Sequence, residues 1–128
     1  MGTLRILIVD DNPDYLASLR NWLVFQPEWR VVGCADCGAA ALTLAQQLRP
    51  DLIILDANLP DMTTLNIVSL LRAQVAHLKI VVLMLDGNRH YLATALAAGA
   101  DEALDKAEVA TWLQPVVRRL FALAPERG

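Results

Sequence analysis

The sequence is poor in basic residues, in cysteine and in long apolar runs, and each shortage removes a class of function. Eleven Lys and Arg stand against 14 Asp and Glu, for a net charge of −3. No basic footprint exists to hold a phosphate backbone, so direct nucleic-acid binding is not expected. The longest strongly apolar run, Ile80 to Leu85, is far short of the roughly 20 residues that span a membrane, and the N-terminus opens directly into polar positions. Cys34 and Cys37 are the two cysteines, too few for a disulfide framework, and a soluble, cytoplasmic chain is expected. Six Gly and six Pro among 55% apolar and 20% charged residues exclude fibrous and disordered classes. The 128 residues amount to one domain.

What is present is an alternation of short Ile, Val and Leu runs with longer stretches of helical period. The runs show little polar alternation, as strands buried on both faces do. Leu4 to Val9 is the first; Asn12-Pro13 after it supplies a helix cap followed by proline at the first helical position, and the helix runs to about Phe25. A strand at Arg30 to Cys34, a helix at Ala39 to Leu48 and a strand at Asp51 to Asp56 follow. The loop 57–63 leads to a helix containing Ile67, Leu70 and Leu71, then a strand at Lys79 to Leu85, a polar turn Asp86-Gly87-Asn88, and a helix stopped by Gly99. A short strand, Glu102 to Leu104, precedes a last helix at Thr111 to Leu123; Thr111-Trp112-Leu113-Gln114 reads as a capping box that puts Pro115 near the first turn. Five such units predict an α/β fold, an open doubly wound parallel sheet whose ligands lie beyond the carboxyl ends of its strands. Residues 125–128 read as a tail.

With the first and third strands as neighbours, Asp10, Asp11 and Asp56 converge at one edge of the sheet. At about 4 Å and an effective dielectric of about 20, each like-charge pair costs on the order of 4 kcal/mol. A hard divalent cation with oxygen ligands relieves this, and a few carboxylates completed by water fit magnesium better than calcium. Lys106, just past the fifth strand, completes the sum: three carboxylates, one Mg2+ and one ammonium are neutral, a pocket that can draw in a phosphoryl group. Any one of these acids alone reads as a solvated loop or capping residue. Together they form a phosphorus-directed nucleophile site, with Asp56, alone on the central strand, as the nucleophile.

These residues resemble the receiver domain of bacterial two-component response regulators over almost the whole chain. Asp10-Asp11, the stretch Asp56-Ala57-Asn58-Leu59-Pro60, Gly99-Ala100-Asp101 and Lys106 match the family's acidic pair, phosphorylation motif, glycine-alanine turn and lysine. The stretch Val31 to Ala35 followed by Gly38 is most similar to receivers that precede helix-turn-helix output domains. The resemblance implies the flavodoxin-like sheet order 2-1-3-4-5 with five helices, and a receiver over residues 1–124. It implies phosphoryl transfer to Asp56 from a sensor histidine kinase or phosphotransfer protein, and Mg2+ held by Asp11, Asp56 and the Asn58 backbone carbonyl, with Asp10 acting through water. Lys106 would contact the phosphate, Asn58 and Asp86 would orient a hydrolytic water, and the signal would pass by protein contact to a downstream protein. Catalysis would be limited to the chain's own phosphotransfer and dephosphorylation.

The family pattern is broken at the read-out. The hydroxyl expected at the end of the fourth strand is Met84, which donates no hydrogen bond, and the aromatic expected on the fifth strand is Ala103. The glycine usual four residues past Pro60 is Thr64, which predicts a differently shaped start to the following helix. The proline usual after the lysine is Ala107, so the cis peptide that the resemblance implies there would cost about 2.5–4 kcal/mol. The competing reading is a phosphorylation-independent interaction module. Cys34-Ala35-Asp36-Cys37 follows the second strand and not the one that opens a redox fold, so it reads as packing and turn residues. His77 and His90 lack the partners of a zinc site. A dehalogenase-like phosphotransferase would need a second acid where Asn58 stands. Tyr91, Trp112, Val116 and Phe121, assigned to the fourth and fifth helices, suggest a pairing face for a homodimer.

Overall fold

The computed structural model describes residues 3–85 and 89–122. Five parallel strands, β1 (Leu4–Val9), β2 (Trp29–Ala35), β3 (Leu52–Asp56), β4 (Lys79–Met84) and β5 (Glu102–Asp105), form one sheet in the order β2-β1-β3-β4-β5. Five helices cover it: α1 (Pro13–Val24), α2 (Gly38–Leu48), α3 (Thr64–Gln74), α4 (Arg89–Ala98) and α5 (Val109–Ala122). This is the flavodoxin-like order expected from the sequence.

Strand alternation divides the core in two. Leu7, Val9, Ile53, Leu55, Ile80 and Val82 turn toward α2, α3 and α4. Ile6, Ile8, Leu52, Ile54, Val81 and Leu83 turn toward α1 and α5. Because both faces are covered, the strands carry no polar alternation, which is why they read as continuous apolar runs. Gly99, with φ +121°, ends α4 in a conformation open to glycine and strained for other residues. Among the described residues no helix is long and apolar enough to cross a membrane.

Four expectations are corrected. The last helix begins at Val109, from a 3-10 turn over Lys106–Glu108, and not at Thr111. Pro115 therefore lies inside the helix, with Val109, Leu113, Val116, Val117 and Leu120 buried along one stripe. Thr111, whose carbonyl loses the Pro115 partner, is exposed, so water can serve it. Every described peptide is trans, including Lys106–Ala107, as a non-proline bond prefers. β5 extends to Asp105, which puts Lys106 directly at the strand's end. Of the four residues of the expected pairing face, three turn inward at least in part: Tyr91 packs against the core of α2, α3 and α4, while Val116 and Phe121 pack with α1 and α5. Trp112 is the exposed one of the four. The turn 86–88, Leu123 and the tail 125–128 lie outside the described residues.

Candidate functional site

β1 and β3 are neighbours, and their carboxyl ends deliver Asp10, Asp11 and Asp56 to one place. One oxygen from each lies within 4.8 Å of the others. Asp10 and Asp56 are buried, at 2% and 4% exposure, whereas Asp11 is open to solvent. Lys106, arriving from the end of β5, sets its Nζ 2.7 Å from Asp10 Oδ2 and 3.2 Å from Asp56 Oδ1. Asp10 is oriented from its other oxygen, which accepts the Asn12 N–H at 2.9 Å. Asn12 in turn caps α1, its side-chain oxygen accepting from the N–H groups of Asp14 and Tyr15 at 2.9 and 3.2 Å.

The charges do not balance. Burial, and then the neighbouring Asp10 charge, push the Asp56 carboxyl above its ordinary value, against the pull of Lys106 and the Asn58 backbone N–H. Burial works against the Lys106 charge, but its ion pairs with Asp10 and Asp56 outweigh this and hold the ammonium above its usual value. Among the described residues, one cation thus stands with three carboxylates. The donors are all carboxylate oxygens with an excess of negative charge, a set that suits a hard divalent cation.

The read-out positions carry no polar group toward this pocket. Met84 and Ala103 are buried, at 7% and 6% exposure, in the core beneath α3 and α4. Beside them Tyr91, from α4, borders a cavity of about 150 Å³ together with Ala57, Asn58, Met84 and Leu85. Its phenol is pushed up by burial and by the field of Asp56, while a hydrogen bond with Thr64 acts the other way. Thr64 is buried, and its hydroxyl donates to the Asp56 backbone carbonyl at 2.7 Å. At the helix start Thr63 caps α3, accepting from Asn66 N–H at 3.3 Å, while Thr64 ties the first turn back to β3.

Of the site residues expected from the sequence, Asp10, Asp11, Asp56 and Lys106 come together here. Asn58 lies in the loop after β3, paired in an isolated bridge with Thr63, and Asp86 lies outside the described residues. Cys34 and Cys37 are free and half-buried. Cys37 sits at the α2 N-cap position without a side-chain bond, and Asp61 replaces it, accepting from Gly38 N–H at 2.7 Å and Ala39 N–H at 3.0 Å. Those two bonds hold the Asp61 carboxyl below the usual range. Gly38 permits the approach, because a Cβ there would meet Ile67 Cδ1 at 2.8 Å and Asp61 Oδ1 at 3.2 Å. Sequence reasoning passed over Asp61 and Tyr15, and noted Thr64 without its bond to the Asp56 carbonyl. Tyr15 lies one helical turn beyond Asp11, and its ring centroid is 4.4 Å from Lys106 Nζ. An aromatic on the first turn after an acidic pair was the available signal.

A doubly wound sheet with an acidic cluster and a lysine at its carboxyl edge defines an aspartate-centred site of the receiver type. Residues 6–118 match the family described as the response regulator receiver domain, and the chain belongs to that family. It is 37% identical over 101 residues to the nitrate/nitrite response regulator protein NarL of Escherichia coli (strain K12), covering 79% of this chain and 47% of that protein. It is 38% identical over 124 residues to the transcriptional regulatory protein PrrA of Mycobacterium tuberculosis, covering 97% of this chain and 51% of that one. The chain thus spans about half the length of these curated relatives. Among solved structures, the signal receiver domain of the response regulator NarL from Mycobacterium tuberculosis superposes with a TM-score of 0.83 at 25% identity, covering 99% of this chain and 100% of that one. The response regulator domain of Thermotoga maritima CheB gives 0.84 at 24% identity, covering 96% and 99% respectively, and supports the fold alone.

Proposed function

We propose that this receiver accepts a phosphoryl group on Asp56 from a phosphohistidine of a sensor kinase or phosphotransfer protein, and passes the signal on by protein contact. The observation that carries this reading is the arrangement of Asp56: a buried carboxylate 3.2 Å from an ammonium, within a cluster whose negative charge exceeds its positive. In the transfer, an Asp56 oxygen bonds to phosphorus as the phosphorus–nitrogen bond of the donor breaks. The histidine nitrogen keeps the electron pair and takes up a proton. Lys106 leaves Asp56 to pair with a phosphoryl oxygen, while Asp10 retains its orienting bond from Asn12.

Mg2+ would be held by Asp11, Asp56 and the Asn58 backbone carbonyl, with Asp10 acting through water, and would stabilise the charge on the transferring oxygens. Asn58 and Asp86 orient the water that later hydrolyses the acyl phosphate, so Asp86→Ala is expected to lengthen its lifetime. Catalysis ends there; the chain acts on no other substrate. It works in the cytoplasm, contacts a downstream protein and binds no nucleic acid itself, residues 1–124 forming the receiver unit. Pairing of two copies through α4 and α5 would bring exposed Trp112 into the interface, and sedimentation with and without a phosphate mimic tests it.

The replacement of the read-out pair by buried Met84 and Ala103 favours a second reading, in which the domain signals through contacts that ignore phosphorylation. Amide NMR with magnesium, before and after beryllofluoride, separates the two, with Asp56→Ala as the control. Shifts around Asp56 that spread into α4 and are absent from the control support the phosphoacceptor. An unchanged spectrum supports the second reading and directs attention to partners of the unphosphorylated protein.

A further inference from the structure

We infer that Tyr15 is a positioning residue for this site, its ring face holding the Lys106 ammonium while that ammonium changes partners. The inference rests on Asp56 being the phosphoacceptor and concerns the cation beside it. A lysine is a point charge on a flexible four-carbon stem, and fixing its backbone does not fix its nitrogen. The backbone is fixed: Asp105 Oδ1 accepts the Ala107 N–H at 2.8 Å and starts the turn that carries Lys106. The nitrogen is placed by three neighbours, Asp10 at 2.7 Å, Asp56 at 3.2 Å and the Tyr15 ring centroid at 4.4 Å.

The ring is itself well placed. Tyr15 lies in the first turn of α1, and its N–H donates to Asn12, whose own N–H donates to Asp10. One chain of hydrogen bonds therefore sets both the carboxylate that pairs with Lys106 and the aromatic face beneath it. Asp10, Asp56 and Asp105 all act on the phenol, and its side chain is partly buried against the core of α1 and α5, so the ring stands beside this pocket.

The use of a ring follows from what the ammonium must do. Phosphorylation of Asp56 removes one carboxylate partner and presents new oxygens some ångströms away. A third carboxylate behind Lys106 would compete for it and enlarge the existing negative excess. A hydrogen-bond acceptor would fix one direction. An aromatic face attracts the cation without formal charge and tolerates lateral movement, so Lys106 stays in the pocket through the exchange. The hydroxyl has no part in this, and phenylalanine is expected to serve equally.

The test compares wild type with Tyr15→Phe, Tyr15→Leu and Tyr15→Met, the last filling more of the ring's volume where leucine folds poorly. In metal-free protein, the ring current is expected to move the Lys106 side-chain methylene protons upfield in wild type and Tyr15→Phe, and not in the aliphatic variants. With magnesium, beryllofluoride affinity followed by fluorine NMR is expected to be unchanged in Tyr15→Phe and roughly tenfold weaker in the folded aliphatic variants. Equal affinity in wild type and the aliphatic variants overturns the inference. So does a Tyr15→Phe as weak as they are, which would assign the effect to the hydroxyl. A wild type that binds no beryllofluoride overturns the phosphoacceptor reading and this inference with it, an outcome distinct from binding that is equal in all four proteins.

Discussion

Two cations bind the sheet at opposite edges, and they are in opposite electrical circumstances. At the amino edge of β4 and β5, Arg72 from α3 donates to the Gly99 carbonyl at 3.2 and 2.8 Å, to the Ala76 and Leu78 carbonyls, and to Asp101 at 2.8 Å. Asp101 also accepts the Ile80 N–H at 2.7 Å. One guanidinium thus meets one carboxylate and several neutral carbonyls, and the end of α3, the start of β4 and the turn into β5 are pinned together. At the carboxyl edge, Lys106 meets Asp10 and Asp56 with Asp11 beside them. A matched cation satisfies acceptors that the fold already exposes, and that is scaffold. An outnumbered cation leaves a deficit that a further ligand can fill, and that marks the site.

The largest effect is expected from removing the outnumbered cation. Lys106→Met leaves Asp10 and Asp56 buried and adjacent, and unfolding by urea is expected to show a loss of about 3–5 kcal/mol at neutral pH. Beryllofluoride binding is expected to vanish. Arg72→Ala is expected to cost less, about 2 kcal/mol, because its side chain and that of Asp101 are 30% and 23% exposed and water can replace some of the lost donors. Beryllofluoride affinity is expected to survive in this variant under conditions where it remains folded. If Arg72→Ala abolishes binding as Lys106→Met does, the division into scaffold and site fails.

The division was only half visible in the sequence. Strand order and the acidic edge were legible, because strands buried on both faces leave unbroken apolar runs and because Asp10, Asp11, Asp56 and Lys106 each end or follow such a run. The boundary of α5 was not: the Thr111 capping pattern is a local preference, and the buried stripe from Val109 to Leu120 overrode it. Nor were the partners that cross between elements. Arg72 reaches residues 27 and 29 positions away, and Asp61 caps a helix 23 and 22 positions before it. Neither carries a short-range motif, since side chain to backbone bonds of this kind depend on the packed fold. Tyr15 and Thr64 were legible as residue types but not as contacts.

Asp56 sharpens the comparison through pH. Its folded value is raised, so its contribution to stability is present at pH below the unfolded carboxylate value and is lost as pH rises through the folded one. At neutral pH, Asp56→Asn is therefore expected to be more stable than wild type. The difference between the two urea midpoints is expected to shrink as pH falls toward the unfolded value. A variant less stable than wild type at neutral pH would mean that the Lys106 pairing outweighs the strain of the cluster.

The smallest effect is expected at Asp61, in the loop that follows β3. Its carboxyl is held low by the Gly38 and Ala39 N–H groups, so its contribution has the opposite sign: present above the unfolded value and lost as pH falls through the folded one. Asp61→Ala is expected to lower the thermal midpoint only slightly, because the carboxylate is exposed, and to speed amide exchange at Gly38 and Ala39. Acid should then erase the difference between variant and wild type at Asp61, by protonating the wild-type cap. At Asp56 acid erases the difference by relieving the wild-type cluster. Two carboxylates, one ending β3 and the other in the loop after it, would thus respond to protons in opposite directions, because Asp61 completes a helix end and Asp56 lies in a pocket with too much negative charge.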